Sequence, residues 1–313
     1  MIRKSKKLII RILIFAVLIL NGMGYTGAYM LTHYKTSNKF ALGIPRPKNY
    51  NSPADFNLTY TNHRIPLEHN EWLDSWLIES TAVRPQGTVV LFHGKDNNKS
   101  SLLDAATIFH SLNYHTLLVD FRGSGKSSGN KTTIGVEEGK DVVATVNYLE
   151  TLELPSPIIL YGISMGSAAI LRAISHHNIQ PDGIILELPF TNLLSAVKTR
   201  LKNDGIPTFP LGELFVFWGG IQHGFNGFNH NPLEDAKKVQ CPTLILAGKR
   251  DRTVTIAETE KLYQNLDVPK EMVVFPQAGH EILARANSQL WTKTVKSFAS
   301  TKINKSSSKT SSD

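Results

Sequence analysis

The stretch that most constrains this chain is residues 158–169, which read Ile-Ile-Leu-Tyr-Gly-Ile-Ser-Met-Gly-Ser-Ala-Ala. Residues 158–162 predict a short buried strand, and the small residues after Gly166 predict a helix that starts tight against it. Ser164 then stands on the sharp corner between the two. A serine held there has strained backbone angles, and a side chain two residues before or after it would collide, which accounts for Gly162 and Gly166. The pattern G-x-S-x-G alone arises by chance in roughly one chain of this length in ten. Its weight comes from the strand before it and the helix after it, the setting that presents a serine hydroxyl at the edge of a sheet.

The rest of the chain repeats the strand-then-helix unit. Buried strands are predicted at 88–92, 116–119, 158–161, 183–186, 243–247 and 272–275, with helical patterns at 101–112, 136–149, 167–175, 255–266 and 286–298. Strands alternating with helices at this spacing imply α/β architecture with a mostly parallel, doubly wound sheet. Residues 56–60 and 72–78 alternate apolar and polar, as an antiparallel edge would. At 313 residues and 41% apolar, there is material for one large core, expected over 54–300. The interval 190–239 has no central strand and reads as a small lid over the carboxyl edge of the sheet. Within it Phe209, Phe215, Phe217 and Trp218 are the expected substrate-binding wall, the alternative being a lid that packs on itself.

Residues 1–31 form an N-terminal unit of their own. Arg3, Lys4, Lys6, Lys7 and Arg11 supply five of the eight net positive charges, leaving +3 for everything after them. So even a charge spread gives no nucleic-acid footprint. The apolar run 8–31 follows, long enough at about 1.5 Å per residue to span a bilayer core of about 30 Å. It predicts a single-pass membrane anchor. The competing reading is a cleaved signal peptide, with 12–20 as its apolar region and 22–24 or 26–28 as the small-residue cleavage site. In both readings the basic end stays in the cytoplasm and the bulk of the chain lies on the periplasmic or extracellular side. Residues 32–53, with Pro45, Pro47 and Pro53, read as a tether, and 301–313 as a disordered Ser- and Lys-rich tail. Cys241 is the single cysteine, and no C-x-x-C or H-E-x-x-H spacing occurs, so neither a disulfide, a metal nor a cofactor is expected.

Parallel sheets bind ligands outside the carboxyl ends of their strands. The residues that follow the predicted strands are His93-Gly94-Lys95, Asp120, Ser164, Glu187, Asp251 and His280. A serine becomes a useful nucleophile only when a neutral imidazole takes its proton, and the imidazole needs a carboxylate to fix its tautomer. His280 and Asp251 supply these in the chain order Ser, Asp, His. The oxyanion of an attacked carbonyl would be met by the backbone N–H of Met165 and of Lys95. Glu187 is an alternative acid, although its Leu-Pro neighbours favour a turn. His93 is expected to hold its loop rather than to react. The run Gly123-Ser-Gly-Lys-Ser127 resembles a phosphate loop, but such a loop needs glycine where Asp120 stands, which excludes nucleotide binding.

Taken together these residues resemble the α/β-hydrolases. Leu-Phe-His93-Gly94, Asp120-Phe-Arg-Gly-Ser-Gly-Lys-Ser and Gly162-Ile-Ser-Met-Gly166 are similar to membrane-anchored serine hydrolases of the monoacylglycerol-lipase and BEM46-like type, as are Asn231-Pro232 and Cys241-Pro-Thr-Leu. The resemblance covers 56–298. It implies hydrolysis of an ester, thioester or amide through an acyl-serine, with a small acyl molecule, lipids included, as substrate. Lys95 departs from the small or amide residue more usual in relatives after His-Gly. A serine peptidase on short peptides shares this scaffold, and a silent binding module would not require all of Ser164, Asp251 and His280.

Overall fold

The structure, a computed structural model, describes residues 2–35 and 42–303. The expected tail from residue 304 onward lies outside the described residues. Eight strands form one sheet: β1 Thr61–Pro66, β2 Trp72–Ile78, β3 Thr88–Phe92, β4 His115–Val119, β5 Ile158–Ile163, β6 Gly183–Glu187, β7 Thr243–Gly248 and β8 Lys270–Phe275. Their order is β1-β2-β4-β3-β5-β6-β7-β8. The first two strands are the antiparallel edge, and every pairing from β4 to β8 is parallel. The strand expected at 56–60 begins later. Pro53 opens a 3-10 turn over Pro53–Phe56 and Asn57 closes it in the left-handed region at φ 57°, so the chain becomes extended only at Thr61.

The helices are α1 Ile2–Thr32, α2 Leu103–Ser111, α3 Val136–Glu150, α4 Met165–His177, α5 Leu193–Asn203, α6 Leu211–His223, α7 Pro232–Asp235, α8 Ile256–Asn265, α9 Leu283–Ala286 and α10 Ser288–Phe298. Successive side chains of a strand point to opposite faces, so a sheet covered on both sides needs apolar residues without a break. That is how β3 reads. Val89 and Leu91 join the core that holds Phe109 of α2 and Trp291 of α10, whereas Val90 and Phe92 join the one that holds Val142 of α3 and Leu171 of α4. The insert between β6 and β7 carries α5, α6 and α7.

The N-terminal helix is unbroken to Thr32. Its stretch Lys6–Thr32 is long and apolar enough to cross a membrane by length and composition. Helix α6 lies along its second half. Trp218 Nε1 donates to Asn21 Oδ1 at 3.3 Å and Gln222 Nε2 to the Tyr25 carbonyl at 2.9 Å. A side chain at Gly27 would run into the Phe215 ring, and one at Gly24 into Leu214.

Two stretches read as loose are bound into the fold. After α1, the Tyr34 amide donates to the Asn130 carbonyl at 2.8 Å, and Tyr34 is fully buried. Arg46 then spans to the carbonyls of Gly125 and Gly129 at 3.1 and 2.8 Å. A tether of polar residues is therefore a strap at both its described ends. At the other terminus, residues 299–303 continue past α10 as a π turn, and Ile303 is buried against Gly183. An apolar side chain in a Ser- and Lys-rich stretch is what holds it there.

Candidate active site

The corner at Ser164 is built by its two glycines. A side chain at Gly162 would meet the Gly166 carbonyl carbon at 2.5 Å, and one at Gly166 would strike the Phe92 carbonyl. With that clearance β5 turns directly into α4 and Ser164 takes φ 51°, ψ −104°, a region a residue with a side chain occupies only under constraint. The constraint is visible: the Ser164 amide donates to the Glu187 carbonyl at 2.7 Å. Because Met165 begins the helix, its N–H has no partner one turn back and lies at the positive end of the helix dipole.

Asp251 and His280 hang from the ends of β7 and β8. The loops after those strands are tied by the Lys249 amide to the Phe275 carbonyl at 2.9 Å and the Arg250 amide to the Ala278 carbonyl at 2.8 Å. Gly248 permits the approach, since a side chain there would strike the Gly279 carbonyl. Asp251 Oδ1 accepts the amides of Thr253 and Val254 at 2.7 and 2.8 Å, leaving Oδ2 for His280 Nδ1 at 2.7 Å. A carboxylate can only accept, so Nδ1 carries the hydrogen and Nε2 keeps a free lone pair. The Asp251 side chain is fully buried and His280 is 29% exposed, which leaves the ring edge open.

Ser164, Met165, Lys95 and His280 line a single cavity of about 300 Å³. Much of its remaining wall is apolar: Ile134, Ile163, Leu188, Phe190, Val254 and Ile282 come from strand ends and the loops beside them, and two further groups add to it. Leu193, Ala196, Val197 and Leu201 project from α5, and Leu31 and Ile44 come from the end of α1 and the strap behind it. The aromatic wall expected from the lid is not there. None of Phe209, Phe215, Phe217 and Trp218 lines this cavity. Phe215 and Trp218 pack on α1, and Phe209 and Phe217 are exposed. The α5 residues were nonetheless readable, since 193, 196, 197, 200 and 201 form an i, i+3, i+4, i+7, i+8 stripe. Leu31 and Ile44 carried no such signal, because they reach the cavity only through the docking of α1.

The other polar residues after the strands hold loops. His93 is fully buried, and burial lowers its pKa. As a neutral ring it donates from Nδ1 to the Gly94 carbonyl at 2.7 Å and accepts the Phe121 amide at Nε2, 3.1 Å, clamping the loop that presents Lys95. Glu187 is occupied by Tyr161 Oη at 2.7 Å, Leu283 N at 2.8 Å and Trp291 Nε1 at 3.0 Å, and burial raises its pKa despite them. It braces α9 and α10 against the sheet. Lys99, which sequence reasoning passed over, is fully buried between Asp74 and Asp120 and 4.6 Å over the Trp76 ring. Burial opposes ionisation of Asp120, but the Lys99 ammonium and the Lys99 amide together hold its carboxyl below the usual range. Nothing distinguishes Lys99 from the other basic residues until β2 and β4 are placed side by side.

Comparison with known proteins gives the family and the fold. A model of the prolyl oligopeptidase family matches residues 101–306. The chain is 25% identical over 282 residues to protein bem46 of Schizosaccharomyces pombe, covering 85% of this chain and 88% of that protein. It is 24% identical over 203 residues to the lysophosphatidylserine lipase ABHD12 of Macaca fascicularis, covering 61% of this chain but only 47% of the lipase. Among solved structures, an esterase of Pyrococcus furiosus superposes with a TM-score of 0.70 at 24% identity, over 86% of this chain and 99% of the esterase, which shows the shared α/β-hydrolase fold.

Proposed function

The chain belongs to the prolyl oligopeptidase family, and on that premise we propose that it is a serine hydrolase of acyl esters acting through Ser164, His280 and Asp251. The observation that carries the reading is the 2.7 Å Asp251–His280 pair, whose ring faces the same cavity as the strained Ser164 corner. In this mechanism His280 Nε2 takes the Ser164 proton while Oγ attacks the ester carbonyl. Asp251 stabilises the imidazolium, and the N–H groups of Met165 and Lys95 receive the oxyanion. Collapse expels the alcohol, protonated by His280. Water, deprotonated by the same nitrogen, then releases the acid and restores the serine.

Esters are favoured over peptides by the aliphatic wall of the cavity, which suits an acyl chain. The similarity to a lysophosphatidylserine lipase points the same way. The family match itself favours a second reading, a peptidase or amidase on short substrates. A panel of acyl esters of graded length beside aminoacyl amides separates the two, with a fluorophosphonate probe reporting whether Ser164 reacts. Preference for the amides, with Ser164 labelled, would overturn the ester assignment.

We further propose that α1 is retained as an anchor with the enzyme on the periplasmic or extracellular side. Cleavage at 22–24 or 26–28 would remove Gly24 or both Gly24 and Gly27, the seats of Leu214 and Phe215. Protease added to intact cells should digest the hydrolase portion, and mass spectrometry of the mature chain should find residues 8–31 still attached.

A further inference from the structure

The insert exposes an apolar face that the catalytic reading leaves unused. On α6, residues 214, 217, 218 and 221 fall at i, i+3, i+4 and i+7, one stripe of a helix. Leu214 and Trp218 spend their half of it on α1 at Gly24 and Asn21. Phe217 and Ile221 are left 46% and 60% exposed, with Phe209 at 75% and Phe228 at 45% beside them in sequence. Scattered apolar side chains on a surface need no explanation, but two large ones side by side on one helix face, with two more at its flanks, do.

The position of this face along α1 identifies what covers it. A bilayer core of about 30 Å takes about 20 helical residues, so a span beginning at Leu8 ends near Gly27. Helix α6 touches α1 between Asn21 and Ala28, which is the last third of that span. A helix packed there cannot stand clear of the membrane. Its aromatic residues fit this level, since Trp218 and Tyr25 meet edge to face at 5.5 Å and Trp and Tyr gather where acyl chains give way to headgroups. The same end of α1 supplies Leu31 to the wall of the cavity that holds Ser164.

We infer that α6 lies in the outer leaflet of the membrane that holds α1, with Phe217 and Ile221 buried among acyl chains, and that the cavity draws its acyl substrate from that leaflet. The inference rests on the anchored-esterase reading and names the source of its substrate. A bilayer, and not a second copy of the chain, is the occupant, because α6 packs on the last third of a helix long and apolar enough to cross a membrane, whose apolar side chains from Leu8 to Ile19 are themselves exposed.

The test places an environment-sensitive fluorophore at Phe217→Cys, in a Cys241→Ala background, with Val83→Cys as the control on a fully exposed loop. The full-length proteins are reconstituted into phosphatidylcholine vesicles containing lipids with a spin-label quencher on the acyl chain. Quenching at 217 and none at 83 is the expected result. An unquenched 217 in protein that stays with the vesicles on alkaline extraction overturns the inference, as does self-association that shields 217 from the quencher. This readout does not depend on hydrolysis, so failure of the esterase reading shows separately, as loss of turnover on every ester.

A kinetic arm uses the double variant Phe217→Ser, Ile221→Ser. On a long-chain monoacyl ester dispersed in the same vesicles, kcat/KM should fall about tenfold, the scale expected for losing the burial of large apolar side chains. A water-soluble butanoyl ester should be hydrolysed as by the parent. Equal loss on both substrates means that the face serves only the fold, and the inference fails.

Discussion

The sheet side of the cavity and its helical side are held in place by different forces. Ser164, Asp251 and His280 stand at strand ends whose loops are fixed by backbone hydrogen bonds and by glycines that admit no side chain. Leu193, Val197 and Leu201 stand on a helix of the insert, and the next helix rests on α1 through aromatic rings and two glycines. Backbone hydrogen bonds fix a position to fractions of an ångström, whereas side-chain packing allows volume to be exchanged. The sheet side should therefore respond to substitution as a machine with few permitted states. The helical side should respond as a surface whose shape is tunable.

The sharpest break in that comparison is Ser164→Ala, which should lower kcat by about 10⁴ to 10⁶ and abolish fluorophosphonate labelling with the melting temperature unchanged; His280→Ala should match it in kcat. A folded Ser164→Ala protein with parental turnover sinks the triad. Next comes the oxyanion loop. Lys95→Pro removes an N–H and should cost about 10² to 10³ in kcat, while Lys95→Ala keeps the N–H and most of the activity. Equal losses in the two would mean that the ammonium, which the structure pairs with Asp96 at 2.8 Å, takes part after all.

On the helical side the effects should be smaller and should depend on substrate. Val197→Ala and Leu201→Ala enlarge the cavity, so the acyl length of best kcat/KM should move up by one or two methylenes, each worth about 0.8 kcal/mol when buried. Phe209→Ala, at an exposed residue that does not line the cavity, should leave the length profile where it was. If Phe209 shifts the profile and Leu201 does not, the aromatic wall read from the sequence was right and the α5 wall is wrong.

The smallest effect is one of stability, at the back of the Ser164 corner. Glu138 is fully buried and takes the hydroxyls of Thr132 and Thr133 at 2.7 and 2.6 Å and the Gly135 amide at 2.9 Å. Burial pushes its pKa up, but those donors outweigh burial and hold it below the ordinary value. A carboxyl depressed in the folded state gives stability that is present above the unfolded value near ~4.3 and is lost as pH falls through the folded one. Glu138→Gln should therefore cost about 1 to 3 kcal/mol at pH 7 and flatten the loss of stability on acidification below pH ~4.3, as urea titrations at several pH values would read. A parallel downward shift at every pH would mean that the charge of Glu138 contributes nothing.

The two sides also differ in how far they could be read before any coordinates. Strand-then-helix alternation and the glycines around Ser164 are local patterns, so the sheet, the corner and the residues after β7 and β8 were legible from the chain alone. Residues 56–60 were misjudged because alternation there is interrupted by a proline-led turn that only backbone angles reveal. The expected substrate wall departs from the cavity lining for a different reason. Aromatic residues are the conspicuous apolar groups in 190–239, yet what Phe215 and Trp218 face depends on α1, far earlier in the chain, as the Asn21–Trp218 contact across 197 residues shows. The strap was hidden likewise, since a polar, proline-bearing segment has the same composition whether it floats or, like Arg46, binds four carbonyls.

That strap sets the terms on which the enzyme meets its substrate. Tyr34 and Arg46 bind the first residues after α1 to the loop around Gly125 and Asn130, so with α1 in a bilayer the catalytic domain has no leash and stays at one height and one tilt. Its search is then two-dimensional. Turnover should follow the mole fraction of ester in the membrane and not its bulk molarity, and diluting the ester with inert lipid at constant total ester should slow the enzyme.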